Sequence, residues 1–201
     1  LGDVYKRQSQ GGVTKEDSAP VIRNRDSSAS TTNNVTIRAD TGATANVTLE
    51  DTNIDTTGGA GPNGAGDAAV RTEGAGNVNL NVELDNTLQS GSTHAGVEKG
   101  NGGNLTIGSE SGSGQLVATG GSSGAGIGGG ENTGAENITI TGGDIFATGN
   151  HGAAGIGGGW RGNGTDITIT GGNITAVGKT ESSRDVGGAG IGGGGNQTPD
   201  P

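Results

Sequence analysis

The sequence predicts an all-β chain wound as a right-handed parallel β-helix, with three short strands in each coil of about 30 residues. Three observations predict it. Asn137–Gly159, NITITGGDIFATGNHGAAGIGGG, is followed by a close copy: DITITGGNITAVG from Asp166, then GAGIGGG from Gly188, with starts 29 residues apart. The scarce aliphatic residues fall at period two, so each short apolar run has one inward face. Glycine makes up 47 of 201 residues, and there is one Trp, one Tyr and one Phe. A narrow interior built from Ile, Val, Leu and Ala, with glycine at the corners, uses such a composition.

Taken in order, Leu1–Gln8 (LGDVYKRQ) resembles translated sequencing-adaptor sequence and is read as a scar. Residues 9–45 form a polar lead-in and a partial coil, in which Asn34-Val-Thr-Ile37 is a first strand-like piece. Residues 46–196 hold about five coils, and 197–201 read as a truncated end. The coils open at Asn46, Asn77, Asn104, Asn137 and Asp166, at intervals of 31, 27, 33 and 29 residues.

Each coil contains three segments. The first places Val47/Leu49, Val78/Leu80, Leu105/Ile107, Ile138/Ile140 and Ile167/Ile169 inward. The second gives Ile54/Thr56, Leu88/Ser90, Leu116/Ala118, Ile145/Ala147 and Ile174/Ala176. The third gives Ala68/Val70, Ala95/Val97, Ala125/Ile127, Ala154/Ile156 and Ala189/Ile191. No coil can bury these residues alone. Stacked about 4.8 Å apart, the coils make three parallel sheets. The general preference for right-handed crossovers between parallel strands sets the expected hand.

Charge and composition narrow the function. Net charge is −10 overall. Residues 1–45 carry +1 and residues 46–201 carry −11, an acidic body poor in aromatics. Such a body is a poor nucleic-acid binder and is repelled by anionic membranes. Cysteine is absent, so no disulfide or thiolate chemistry exists, and no apolar run reaches transmembrane length. The glycine triplets are not phosphate loops, since no G-x-x-x-x-G-K-[ST] occurs.

The Asn that opens each first segment, with Asp166 last, predicts a structural ladder of Asn46, Asn77, Asn104, Asn137 and Asp166 bonded from coil to coil. The plainer reading is that Asn and Asp favour turns. Outward Thr48, Thr106, Thr139 and Thr168, interrupted by Asn79, should line one face. A short interrupted array is a poor match to an ice lattice and a good one to β-propensity. Asn-x-Thr sequons at Asn34, Asn46, Asn104, Asn137, Asn163, Asn173 and Asn196 follow mainly from how segments open.

No catalytic site is expected. Glu50, Asp51, Asp55, Glu83 and Asp85 are candidate carboxylates, yet no acid recurs in register with a base, and His94 and His151 read as solvated corner residues. No cofactor is expected. Structural calcium is open at Gly162–Asp166 and Gly64–Asp67, although the tandem nine-residue period of calcium rolls is missing. Trp160 beside Arg161 could stack on a sugar, with Phe146 and His151 nearby in sequence. These four are the candidate ligand-binding residues.

GAGIGGG at 124–130, AAGIGGG at 153–159 and GAGIGGG at 188–194, with ITITGG at 138–143 and 167–172, resemble the Gly-rich repeats of large surface proteins from gut Gram-positive bacteria. That group is often labelled as carbohydrate-binding-domain proteins. The resemblance is clear over 104–196 and weaker over 46–103. It implies an extracellular, cell-surface or secreted segment, non-enzymatic, serving as a stalk or adhesin that binds polysaccharide or a host or cell-surface glycan. The alternative is a fragment of a polysaccharide lyase or glycoside hydrolase whose active site lies elsewhere.

Overall fold

The computed structural model describes residues 19–58, 66–181 and 186–196. Among them there is no helix, and the strands stack as a parallel β-solenoid of about five turns. The first sheet runs β1 (Val21–Ile22), β3 (Thr44–Glu50), β6 (Asn77–Glu83), β9 (Leu105–Gly108), β12 (Ile138–Ile140) and β15 (Ile167–Ile169). The second runs β4 (Asn53–Asp55), β7 (Asp85–Gln89), β10 (Gln115–Thr119), β13 (Asp144–Thr148) and β16 (Asn173–Val177). The third runs β2 (Val35–Arg38), β5 (Val70–Glu73), β8 (Val97–Lys99), β11 (Ile127–Gly128), β14 (Ile156–Gly157) and β19 (Ile191–Gly192). A small antiparallel pair, β17 (Thr180–Glu181) and β18 (Val186–Gly187), projects from the fifth coil.

Alternation drives the stacking. In β9, β10, β12 and β13 every second residue is buried, and Leu105, Ile107, Leu116, Ile138, Ile140 and Ile145 are completely enclosed. Each such side chain contributes about 1.5–3 kcal/mol by leaving water. At the last coil the ladder meets solvent: Ile169 and Ile191 are 39 % and 47 % exposed.

Two expected registers are corrected by two residues. Val47 faces Leu80, and Ala45 faces Val78. In the second sheet Leu88 stands beside Ala118, while Asn86 stands beside Leu116. A shift of two keeps every side chain on its own face, so period two cannot detect it. In the first sheet the observed register sets Ala45, Val47 and Leu49 against Val78, Leu80 and Val82, burying both sets of three. The sequence similarity of Asn46–Leu49 to Asn77–Leu80 is therefore not their alignment in space.

The lead-in differs too. Asn34–Ile37 resembles a first segment, but β2 pairs with β5 in the third sheet, Val35 beside Val70. Thr31 bridges Ile54 in the second sheet, and β1 pairs with β3 in the first. Residues 21–38 thus trace a reduced turn beneath the first coil.

Candidate functional site

The third sheet explains the glycine motif and locates the site. In A-G-I-G-G the Ala N–H donates to a carbonyl four residues on: Ala125 to Gly129, Ala154 to Gly158 and Ala189 to Gly193, each at 3.0 Å. The chain bends sharply there, with Gly128, Gly157 and Gly192 at φ of +136°, +132° and +128°.

Corner length then changes along the stack. From Val70 to Val78 and from Val97 to Leu105 the chain advances eight residues between the same two rows. From Ile127 to Ile138 and from Ile156 to Ile167 it advances eleven. The longer corners fold back over the third sheet as a covering layer. Glu131 N–H donates to the Thr93 carbonyl at 2.7 Å, and Trp160 N–H to that of Ser123 at 2.9 Å. The layer stacks on itself, Asn132 N–H donating to the Trp160 carbonyl at 2.8 Å. Its glycines are required by contact: a Cβ on Gly159 would lie 1.9 Å from the Gly130 carbonyl oxygen.

The second coil lacks this layer, and a polar groove opens at the step. One cavity of about 340 Å³ lies between Arg71, His94 and Glu98 and the edge Gly130–Thr133. A second, of about 420 Å³, lies between Lys99, Asn101, Glu136, Asn163 and Thr165. Lys99 and Gly100 line both. Both volumes fall in the range of about 300–1,000 Å³ typical of ligand clefts.

Glu98 organises the groove. It occupies the column of Gly128 and Gly157, outward beside inward Val97. Its Oε2 accepts the Ala95 N–H at 3.4 Å, replacing the carbonyl used in later coils, and lies 2.6 Å from His94 Nδ1. Its Oε1 lies 3.3 Å from Arg71 Nε, and Arg71 stands beside Glu98 in register. An acid does meet a base across adjacent strands, contrary to the expectation from sequence. His94 is half-buried, not solvated: its bond to Glu98 lifts its pKa above 6.5 against the opposing pull of burial. Lys99 is nearly enclosed; burial pushes its ammonium down, and Glu136 opposes that. Its Nζ donates to the Asn101 carbonyl.

The sign of the His94 effect fixes a pH prediction. A raised pKa means protonated His94 stabilises the fold fully below pH 6.5, and the contribution is lost as pH rises through the raised value. The melting-temperature gap between wild type and His94→Gln should therefore be widest below pH 6.5 and narrow above it. A gap independent of pH would sink the charged pair.

The ligand-binding residues expected from sequence divide. Arg161 lies over the Trp160 ring at 3.9 Å, a cation–π contact covering one face of the indole. The indole also abuts Gly152, next to His151, whose Nδ1 is 2.8 Å from Ser122 Oγ. Phe146 points outward from the second sheet, between Val117 and Thr175, away from that corner. Of the candidate carboxylates, Glu83 is pinned: Ser111 and Glu110 hydrogen-bond it and hold its pKa low. Gly64 lies outside the described residues; among those described, no three His, Cys, Asp or Glu residues group as metal ligands.

The asparagine ladder is also corrected. Asn46 stands beside Asn79, which donates to its Oδ1 at 2.8 Å, so Asn46 is not in the column of Asn77. Thr48 shifts likewise and stands beside Asn81. In the remaining column the bonds are mostly backbone: Val78 donates to the Asn104 carbonyl, Leu105 to that of Asn137, and Ile138 to that of Asp166. Asn137 and Asp166 sit at φ of +57° and +51°, a conformation that Asn and Asp tolerate. The side-chain step is Asn77 Oδ1 accepting the Asn104 N–H at 2.9 Å. Asn77→Ala should cost about 1 kcal/mol, and Asn104→Ala less than about 0.5 kcal/mol, in urea unfolding. Equal losses would restore a side-chain ladder.

The repeat now has a family match. Residues 138–160 and 167–195 match the beta helix repeat family. No curated protein and no solved structure matches the chain. The beta helix repeat match covers the strands of the fourth and fifth coils, where the Gly-rich bend recurs. The groove lies just before it, where AGIGGG gives way to Ala95-Gly-Val-Glu-Lys-Gly100. That break in a glycine column is the signal from which Glu98 and Lys99 could have been found.

Proposed function

We propose that this chain is a non-enzymatic β-helix segment of a secreted or cell-surface protein, acting as a stalk or adhesive module that binds carbohydrate through weak repeated contacts. The observation that supports it is the outward row of the first sheet: Asn46, Asn79, Thr106, Thr139 and Thr168 stand side by side. Strands about 4.8 Å apart place amides and hydroxyls at a regular spacing along the rod. Such a row offers each sugar hydroxyl a donor or an acceptor, with affinity built by repetition. The acidic body disfavours nucleic acid and anionic lipid as partners. Among the described residues no helix is long and apolar enough to cross a membrane. A glycan array read for binding, with polymer length before and after incubation, tests the reading. Binding without shortening supports it; no binding to any glycan overturns it.

One observation favours a second reading, a polysaccharide lyase or hydrolase. His94 and Glu98, residue types that move protons, form a bonded cluster with the fixed cation Arg71. Release of product from a polymer, abolished by Glu98→Gln, would favour it.

A further inference from the structure

The geometry points to the step groove between the second and third coils as a discrete binding site for a short segment of neutral glycan. The inference rests on the carbohydrate reading above and gives it a place distinct from both the outward Asn/Thr row and the Trp160 corner.

Shape comes first. The covering layer begins at the third coil, so its edge, Gly130–Thr133, stands over the exposed part of the second coil. The two cavities it creates share Lys99 and Gly100 in their linings, so they adjoin at that corner. An extended ligand can lie in it, whereas the outward row of the first sheet is a row of side chains on adjacent strands rather than a cleft.

Chemistry sets the ligand class. Among the ionisable side chains of the groove three donate, Arg71, His94 and Lys99, and three accept, Glu98, Glu131 and Glu136, and Asn and Thr side chains between them can do both. Donors and acceptors occur together in a small space, as vicinal hydroxyls require, since each hydroxyl both donates and accepts. The balance of signs gives no net pull on an anionic polymer, which the acidic body repels. Glu98 and Arg71 are already held in place by His94, Ala95 and each other, so little ordering is left for binding to impose. Lys99, nearly enclosed and bonded to a carbonyl, gains a further acceptor when a hydroxyl enters. By contrast, Arg161 already covers one face of the Trp160 ring.

The test uses the full chain and four probes, cellohexaose, xylohexaose, mannohexaose and hexagalacturonate, titrated calorimetrically. At least one neutral hexasaccharide should bind more tightly than hexagalacturonate. Glu131→Ala and Asn163→Ala alter a half-buried and an exposed position on the rims of the two cavities and should each weaken that binding by about tenfold, one lost hydrogen bond's worth. Lys99→Gln should weaken it at least as much, and thermal melting shows whether that variant folds. Trp160→Ala should leave affinity unchanged. Neutral binding that survives both rim substitutions would overturn the groove as the site while leaving the carbohydrate reading intact. Tighter binding of hexagalacturonate would overturn the neutral class. Failure of wild type to bind any probe, with no hit on the glycan array, would remove the carbohydrate reading and this inference together.

Discussion

Gly157→Val should cost about 4 kcal/mol or more and separate the last coil from the rest in urea unfolding. Two penalties combine. Gly157 lies at φ +132°, where a β-branched side chain is severely strained. A Cβ there would also fall 1.9 Å from the Gly192 carbonyl oxygen of the next coil. That oxygen accepts the Gly158 N–H at 2.9 Å, so the coils must part and the bond must break. Because a solenoid coil contacts only its neighbours, the damage should concentrate at the junction of β14 and β19. Amide exchange at Ile156 and Ile191 should accelerate far more than at Val97. Gly112→Ala is the control: φ is +76° but nothing lies within 4 Å of the added Cβ, so only the backbone strain of about 1 kcal/mol is felt. If the two substitutions cost the same, the close approach of coils is not what the glycine is for.

The third sheet shows which parts of this fold the sequence reveals. Inward Val70, Val97, Ile127, Ile156 and Ile191 can be aligned by eye, and the structure stacks them in that order. The alignment works because glycines flank Ile127, Ile156 and Ile191 and mark the register, and the Ala two residues before each aliphatic carries it back to Val97 and Val70. The first and second sheets lack such marks in their early coils. There a strand can slide by two and still bury an aliphatic, so Leu88 looked equivalent to Leu116 when it pairs with Ala118. The groove was hidden for a related reason. His94, Glu98 and Arg71 are isolated charges in sequence; only the parallel register brings Arg71 beside Glu98, and only the three extra residues of the next corner wall them in. Trp160 was conspicuous because it is the one tryptophan. Its partner is the adjacent Arg161, a local contact that holds the corner.

Asn86→Leu should destabilise the fold by about 3 kcal/mol, although a leucine occupies the same row one coil later. Asn86 is 1 % exposed and stands next to Leu116 in the second sheet. By shape, leucine is a close substitute, and its burial offers about 1.5–3 kcal/mol. By bonding it is not. The Asn86 amide donates to the Glu83 carbonyl at 2.9 Å and to that of Gln115 at 3.1 Å, and its Oδ1 accepts the Thr52 N–H at 3.1 Å. These groups belong to three successive coils, and Glu83 closes a corner that turns on a single residue, Leu84, at φ +55°. So tight a turn leaves backbone groups facing inward, and a side chain must satisfy them. In the third coil residues 109–114 form a longer corner between the same sheets, and the side chain that follows it, Leu116, is apolar. Leaving the buried Thr52 N–H unpaired and taking a donor from the part-buried Glu83 and Gln115 carbonyls costs about 1–3 kcal/mol for each group left unsatisfied, which together exceeds the gain from leucine. The reverse change, Leu116→Asn, should also destabilise, by about 3 kcal/mol, because its amide would enter an apolar row with no corner to bond. Urea unfolding of both variants decides the matter: a neutral or stabilising Asn86→Leu would show that the corner satisfies its own backbone and that the amide is dispensable.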